Sequence, residues 1–317
     1  MFIKKGRLMR NLNPINYVSS TIHSSDVDRV FGASWQLLGP TSRLTNRGDY
    51  IAVEIAGNKV FAVRTKDGLQ AFRNVCRHRG ARLLPEGTGH CTTIRCPYHQ
   101  WVWGEDGSLL NVPWWGDDPD FNKSDWALDT VELYEWRGFL FASLSPEMPL
   151  EDQLGALVSE IEDEPIERYK WVHEERLVFD ANWKIYTDNF VEGYHIPGIH
   201  PKFHSAIEFE KFETIALEGM VKMTAPPREE LFYRGKWLWM WPNWTLSLFD
   251  GGMNTSRINP INHHQTELIY NFYFEDISEN NAPKRAKIIA DNLEVIREDF
   301  EICVSTQRNY ESGGYRP

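Results

Sequence analysis

Residues 76–83 read CRHRGARL, and residues 96–101 read CPYHQW. Each stretch opens on a cysteine with a histidine close behind: Cys76 with His78, and Cys96 with His99. Thiolate and imidazole are the side chains that hold zinc and iron–sulfur centres, and two such loops supply four ligands. A tetrahedral zinc would accept the set, but zinc fingers group cysteine with cysteine and histidine with histidine. Here each loop contributes one of each. That distribution suits a [2Fe–2S] cluster, with Cys76 and Cys96 on an inner iron and His78 and His99 on an outer one. Neutral imidazoles raise the potential of such a cluster and leave its outer edge near the surface for electron exchange.

The two loops, followed by Asp106-Gly107-Ser108-Leu109, resemble the Rieske motif of ring-hydroxylating and related Rieske non-haem iron oxygenases. The resemblance runs from about residue 31 to the end of the chain. One departure is Gln100, where family members usually carry glycine. It bears on a tight turn and leaves the ligand set intact. Cys91 has no partner at ligand spacing and reads as a packed thiol. The Rieske proteins of cytochrome complexes carry an extra, disulfide-forming cysteine in each loop. Neither loop has one here, so the oxygenase or ferredoxin type is the better match.

A second constellation lies downstream. Residues 182–201 read NWKIYTDNFVEGYHIPGIHP. The pattern predicts a helix from Asn182 to His195, stopped by Pro197-Gly198. Glu192 and His195, at i and i+3, share its face. Two histidines and one carboxylate form the ligand set of non-haem Fe(II) oxygenases, which leaves positions open for O2 and substrate. The stretch is similar to the family's D/E-x-x-H-x4-H motif. That resemblance implies that His195 and His200 bind a mononuclear Fe(II). It puts Glu192 in the place of the acidic residue that links this iron to a Rieske histidine of a neighbouring subunit. Many members have aspartate there, and glutamate is similar to the choline, carnitine and glycine-betaine branch. Asp188 and Asn189, one turn earlier, are candidates to support the ligands.

The third iron ligand should be a carboxylate further on, among Asp291, Glu294, Glu298, Asp299 and Glu301. Residues 283–309 form a helical pattern with Ile288, Ile289, Leu293, Ile296, Phe300 and Cys303 on one stripe. Asp299 is three residues from Ile296 and four from Cys303, so helical phase turns it with that stripe, whereas Glu298 and Glu301 fall on its flanks. The run REDFEICVSTQ also resembles the family's terminal ligand helix, in which the aspartate of the Glu-Asp pair binds iron.

Around these motifs the chain reads as α+β. Residues 1–45 are expected to be a helical lead-in packing on the catalytic domain, with an N-cap at Ser24-Ser25-Asp26. Residues 46–147 read as an all-β Rieske domain of short strands with Gly and Pro turns, including a hairpin at Lys66-Asp67-Gly68. Residues 148–317 read as the catalytic domain, for which the resemblance implies a helix-grip fold with an antiparallel sheet. Residues 151–168 are acidic with helical spacing and read as an amphipathic helix.

Composition bounds the rest. The 317 residues carry a formal charge of −11, which argues against a nucleic-acid partner. No stretch has the length and apolarity of a membrane span. The basic opening MFIKKGRLMRNLN has no apolar core, so no signal peptide is expected. Four cysteines are too few for a disulfide scaffold, and a reducing cytoplasm is the expected location. Thirteen tryptophans suggest aromatic cores or a large apolar pocket. Trp237, Trp239 and Trp241 alternate on one strand face, which fits either sheet core or a cradle for a quaternary ammonium.

The resemblance implies a terminal oxygenase in a homotrimer. Electrons would come from an NAD(P)H-dependent reductase, a ferredoxin, or both. With O2 the enzyme would hydroxylate or oxidatively demethylate a small organic substrate, either an aromatic compound or a quaternary amine. The competing reading is a Rieske electron carrier with an appended non-catalytic domain.

Overall fold

The computed structural model describes residues 12–116, 118–228 and 233–317. Most of the basic opening read from sequence, residues 1–11, therefore lies outside the described residues. The chain divides into two compact units, Phe31–Glu147 and the remainder, which joins the segment ending at Val30 to Met148–Pro317.

The first unit is built from short antiparallel strands in three sheets. Strand β1 (Gln36–Pro40) pairs with β10 (Phe139–Ser143), which pairs with β9 (Glu132–Trp136). The second sheet runs β4-β3-β2-β5, from β2 (Asp49–Ile55), β3 (Asn58–Thr65), β4 (Gly68–Arg73) and β5 (Gly87–His90). The third is β6-β7-β8, from β6 (Thr93–Arg95), β7 (Val102–Gly104) and β8 (Leu109–Asn111). Lys66 and Asp67 make the expected turn between β3 and β4. The boundary read at residue 45 lies earlier, at Phe31. Residues 36–40 are a wholly buried strand paired to β10, and this ladder ties them to the β unit.

The second unit opens on two short helices, α1 (Ile15–Val18) and α2 (Ser20–Asp26). The cap of α2 is Ser19, whose Oγ accepts from the Ile22 amide at 3.3 Å. The N-cap expected at residues 24–26 is instead the end of that helix. The acidic segment 151–168 is not one helix. It breaks into α3 (Leu150–Leu154) and α4 (Leu157–Glu160) because Gly155 adopts φ +52°. A Cβ there would lie 2.5 Å from the Glu218 carbonyl oxygen, so the break needs glycine.

A seven-stranded antiparallel sheet follows, in the order β11-β17-β16-β15-β14-β13-β12. Its strands are β11 (Lys170–Phe179), β12 (Glu213–Leu217), β13 (Met220–Thr224), β14 (Tyr233–Met240), β15 (Trp244–Phe249), β16 (Gly252–Asn262) and β17 (Gln265–Phe274). The helix expected from 182 to 195 is shorter. It runs as α5 (Trp183–Phe190), capped by Asn182, and is followed by α6 (Ile196–Ile199) and α7 (Pro201–Ala206). The long helix α8 (Ala282–Glu311) buries Ile288, Leu293, Ile296 and Cys303 of the stripe read from sequence, and with them Asp299 and Tyr310, whereas Ile289 and Phe300 of that stripe are half-buried. It meets the sheet through Asn292 and Asn254 of β16, and through Phe300 stacked on Phe179 of β11 with centroids 4.6 Å apart. No helix among the described residues is long and apolar enough to cross a membrane.

Candidate functional site

The two Cys-His loops repeat one backbone design. The Cys76 amide donates to the Ala81 carbonyl and the Cys96 amide to the Trp101 carbonyl, at 2.7 and 2.9 Å. The Gly80 amide donates back to the Cys76 carbonyl and the Gln100 amide back to that of Cys96, at 2.9 and 3.1 Å. Each turn places its fifth residue at positive φ: Gly80 at +72° and Gln100 at +60°. Gln100 thus occupies the left-handed position that glycine takes in the sister loop.

The turns put Cys76 and Cys96 in the core, 3% and 0% exposed, and His78 and His99 nearer the surface. The imidazole centroids are 4.6 Å apart. His78 lies flat on Trp101 (4.9 Å, 2°), and His99 stacks on Tyr98. The Nδ1 atoms of both histidines are buried without a hydrogen-bond partner. Burial, then His99 and Arg79, hold the His78 pKa below its ordinary value, which favours the neutral, ligating form. Burial also raises the Cys76 thiol, with Cys96 adding to the effect and the amides of His78 and Arg79 opposing it. Two buried thiols side by side and two orphaned imidazole nitrogens fit a [2Fe–2S] group, whose irons would satisfy all four.

The second group lies on the catalytic sheet unit. His195 precedes α6, His200 stands between α6 and α7, and Asp299 points inward from α8. Their ligand atoms all lie within 4.8 Å of one another. Asp299 Oδ1 is 3.0 Å from His200 Nε2 and 3.7 Å from His195 Nε2, yet it is buried and makes no hydrogen bond. The other ring nitrogens are occupied. His195 Nδ1 is 2.7 Å from Glu192 Oε1, and His200 Nδ1 is 2.7 Å from Glu298 Oε2. An ionised carboxylate only accepts, so each Nδ1 carries the proton and each Nε2 lone pair is free. Three lone-pair atoms facing one another repel unless a cation lies between them, and a buried carboxylate on an apolar stripe is costly without one. The donor set fits a mononuclear iron. Burial lowers the His200 pKa, but Asp299 and Glu298 outweigh it, and the net direction is upward.

The group opens onto a cavity of about 90 Å³, room for a small organic head group. Phe203, Phe212 and Trp237 form its aromatic side, with Phe203 edge-on to Trp237 at 5.2 Å. Of the tryptophan stripe, Trp237 lines this cavity, whereas Trp241 is 44% exposed. Tyr186 and Tyr270 also line it, their hydroxyls 3.2 Å apart. Burial pushes the Tyr270 phenol up to about 12, so it stays protonated.

Asn189 lines the cavity as well. Asp188 does not; it accepts from the Tyr17 hydroxyl at 2.6 Å and ties α1 to α5. Sequence reasoning put Glu298 on the helix flank and did not consider Asn254 or Asn292. The Glu298-Asp299 adjacency was a usable signal, because a residue beside an inward-facing ligand can still reach the back of a histidine.

A β domain with paired Cys-His loops, joined to an antiparallel sheet with a His-His-carboxylate group, defines a two-centre iron oxygenase. Residues 34–121 match the Rieske [2Fe-2S] domain, and residues 166–226 and 210–317 match the catalytic domain of the ring hydroxylating alpha subunit. The chain belongs to the Rieske ring-hydroxylating oxygenases, as the terminal oxygenase (alpha) subunit. It is 30% identical to the carnitine monooxygenase oxygenase subunit of Escherichia coli, over 95% of this chain and 84% of that one. It is 27% identical to the chloroplastic choline monooxygenase of Amaranthus tricolor, over 95% and 71%. A quaternary ammonium Rieske monooxygenase solved with L-carnitine superposes with a TM-score of 0.86 at 27% identity, covering 96% of this chain and 86% of that one. Enzymes of this kind draw electrons from a separate partner protein.

Proposed function

We propose that the chain mono-oxygenates a small quaternary amine, hydroxylating it or removing a methyl group after hydroxylation. Cys76, His78, Cys96 and His99 would hold the cluster, and His195, His200 and Asp299 the mononuclear Fe(II). When bound, the cluster supplies single electrons and the ferrous ion supplies O2 activation. The protein's own part is positional. Glu192 and Glu298 fix the tautomers of the two histidines, and the aromatic wall excludes water and faces a cation. Glu192, with its side chain 41% exposed, is the residue through which this site would reach a neighbouring subunit's cluster in a homotrimer. The electron donor would be an NAD(P)H-dependent reductase, acting directly or through a ferredoxin. Four free thiols fit a reducing cytoplasm.

The observation that carries this reading is the convergence of His195, His200 and Asp299 beside an aromatic cavity, since an electron carrier has no use for a second centre. The amine follows from the carnitine and choline relatives and from that aromatic wall. Iron analysis and O2 uptake with a surrogate reductase test it. The purified chain should carry about three irons, two in the cluster and one mononuclear. His195→Ala should lose one iron, keep the cluster's visible spectrum and abolish substrate-coupled O2 uptake. Unchanged turnover in that variant would return the chain to the electron-carrier reading.

A further inference from the structure

A fixed chain of amides crosses the cavity wall. Asn292 of α8 donates its Nδ2 to the Ile288 carbonyl at 2.8 Å. A backbone carbonyl can only accept, so this bond settles which way the Asn292 amide faces. Its Oδ1 accepts from Asn254 Nδ2 at 3.1 Å. Asn254 is thereby oriented too, with its Nδ2 committed to Asn292 and its Oδ1 turned the other way. Asn254 is 2% exposed and lines the cavity, and its Oδ1 is buried with no hydrogen-bond partner. A buried acceptor left unmet is costly. The relay from Ile288 prevents the amide from flipping to offer a donor instead.

We infer that Asn254 is a specificity-determining residue, its Oδ1 accepting a hydrogen bond from an O–H or N–H donor on the substrate. This rests on the reading of the cavity as the substrate site of the iron centre. A second feature sharpens it. The described residues lining the cavity include Glu192 and Asp299 but no lysine or arginine. A carboxylate placed at Asn254 would meet an acceptor and no donor. The cavity selects a small molecule that brings an O–H or N–H donor to this position.

Isothermal titration of the metal-loaded protein with matched ligands tests the inference without turnover. Choline is compared with propyltrimethylammonium, which replaces its hydroxyl by methyl, and with glycine betaine, which carries a carboxylate. Benzyl alcohol against ethylbenzene forms an aromatic pair. The hydroxyl member should bind about tenfold tighter than its methyl isostere, because the isostere leaves the acceptor unmet. Glycine betaine should bind more weakly than choline. Asn254→Leu should erase the preference. Equal binding of the isosteres to the unmodified protein overturns the inference, and that arm needs no variant to fold. A preference that survives Asn254→Leu, or tighter binding of glycine betaine, also overturns it. A hydroxyl preference confined to the aromatic pair supports Asn254 and overturns the amine reading. Binding of no member overturns both.

Discussion

His200 donates from Nδ1 to Glu298 Oε2 at 2.7 Å, across 98 residues of sequence and beside the aspartate that faces its other nitrogen. The bond fixes both the ring plane and the tautomer of a histidine that is only 2% exposed. Loss of this acceptor should therefore weaken the iron site while sparing the cluster. Glu298→Ala should lower iron affinity about 10–100-fold, and Glu298→Gln, whose amide oxygen still accepts, should lose much less. Competition with a chelator gives the affinity, and the cluster's visible spectrum serves as the internal control. Equal affinity in the alanine variant would mean that packing alone orients His200.

Gln100 holds a φ of +60° in a turn whose sister carries Gly80 at +72°. An L side chain in that region crowds its own backbone, at a cost of about 1 kcal/mol. Its amide recovers little, through one exposed 3.3 Å bond to the Pro97 carbonyl. Gln100→Gly should stabilise the β unit by about that amount, read as a higher denaturant midpoint. A lower midpoint would show that the glutamine contact, or the greater freedom of glycine in the unfolded chain, outweighs the strain.

The two candidate ligand groups were legible because their chemistry is carried by residue type and short spacing. Cysteine beside histidine in two turns, and Glu192-x-x-His195-x4-His200, need no tertiary knowledge. Asp299 could be picked from five carboxylates because helical phase is periodic and α8 is long. What escaped depended on single backbone angles or on partners far apart in sequence. An amphipathic count over residues 151–168 cannot register that Gly155 turns the chain at φ +52°. Residues 31–45 read as lead-in because their tie to the β unit is a ladder between Gln36–Pro40 and Phe139–Ala142, a hundred residues on. Asn254 was invisible because β16 is buried residue after residue, so no alternation separates a wall facing the cavity from core.

Glu192 makes two bonds at once, from Oε1 to His195 and from Oε2 to the Tyr194 amide, so its carboxylate is held rigidly at a partly exposed edge. Glu192→Gln keeps an acceptor for His195 and should leave iron content within about twofold of normal. Its lost charge should slow substrate-triggered oxidation of the reduced cluster about tenfold or more. Stopped-flow absorbance of the cluster measures this directly. An unchanged rate would assign Glu192 to holding His195 and nothing further.

Asp188 supplies a test of stability against pH. Its carboxylate accepts from the Tyr17 hydroxyl at 2.6 Å, but burial, the largest influence on it, raises its pKa against the opposing effects of Tyr17 and Lys184. A carboxyl whose pKa is raised on folding favours the folded state when protonated. That contribution is complete below the ordinary aspartate value and is lost as pH rises through the raised one. At neutral pH the charged form therefore opposes folding. Asparagine keeps an oxygen for Tyr17 and cannot ionise. Asp188→Asn should accordingly be more stable than the unmodified protein at pH 7, with the difference shrinking as the pH falls into the acid range. Urea unfolding at a series of pH values measures the difference. A gain that grows toward acid would mean that the pairing with Lys184 and Tyr17, and not burial, dominates at Asp188.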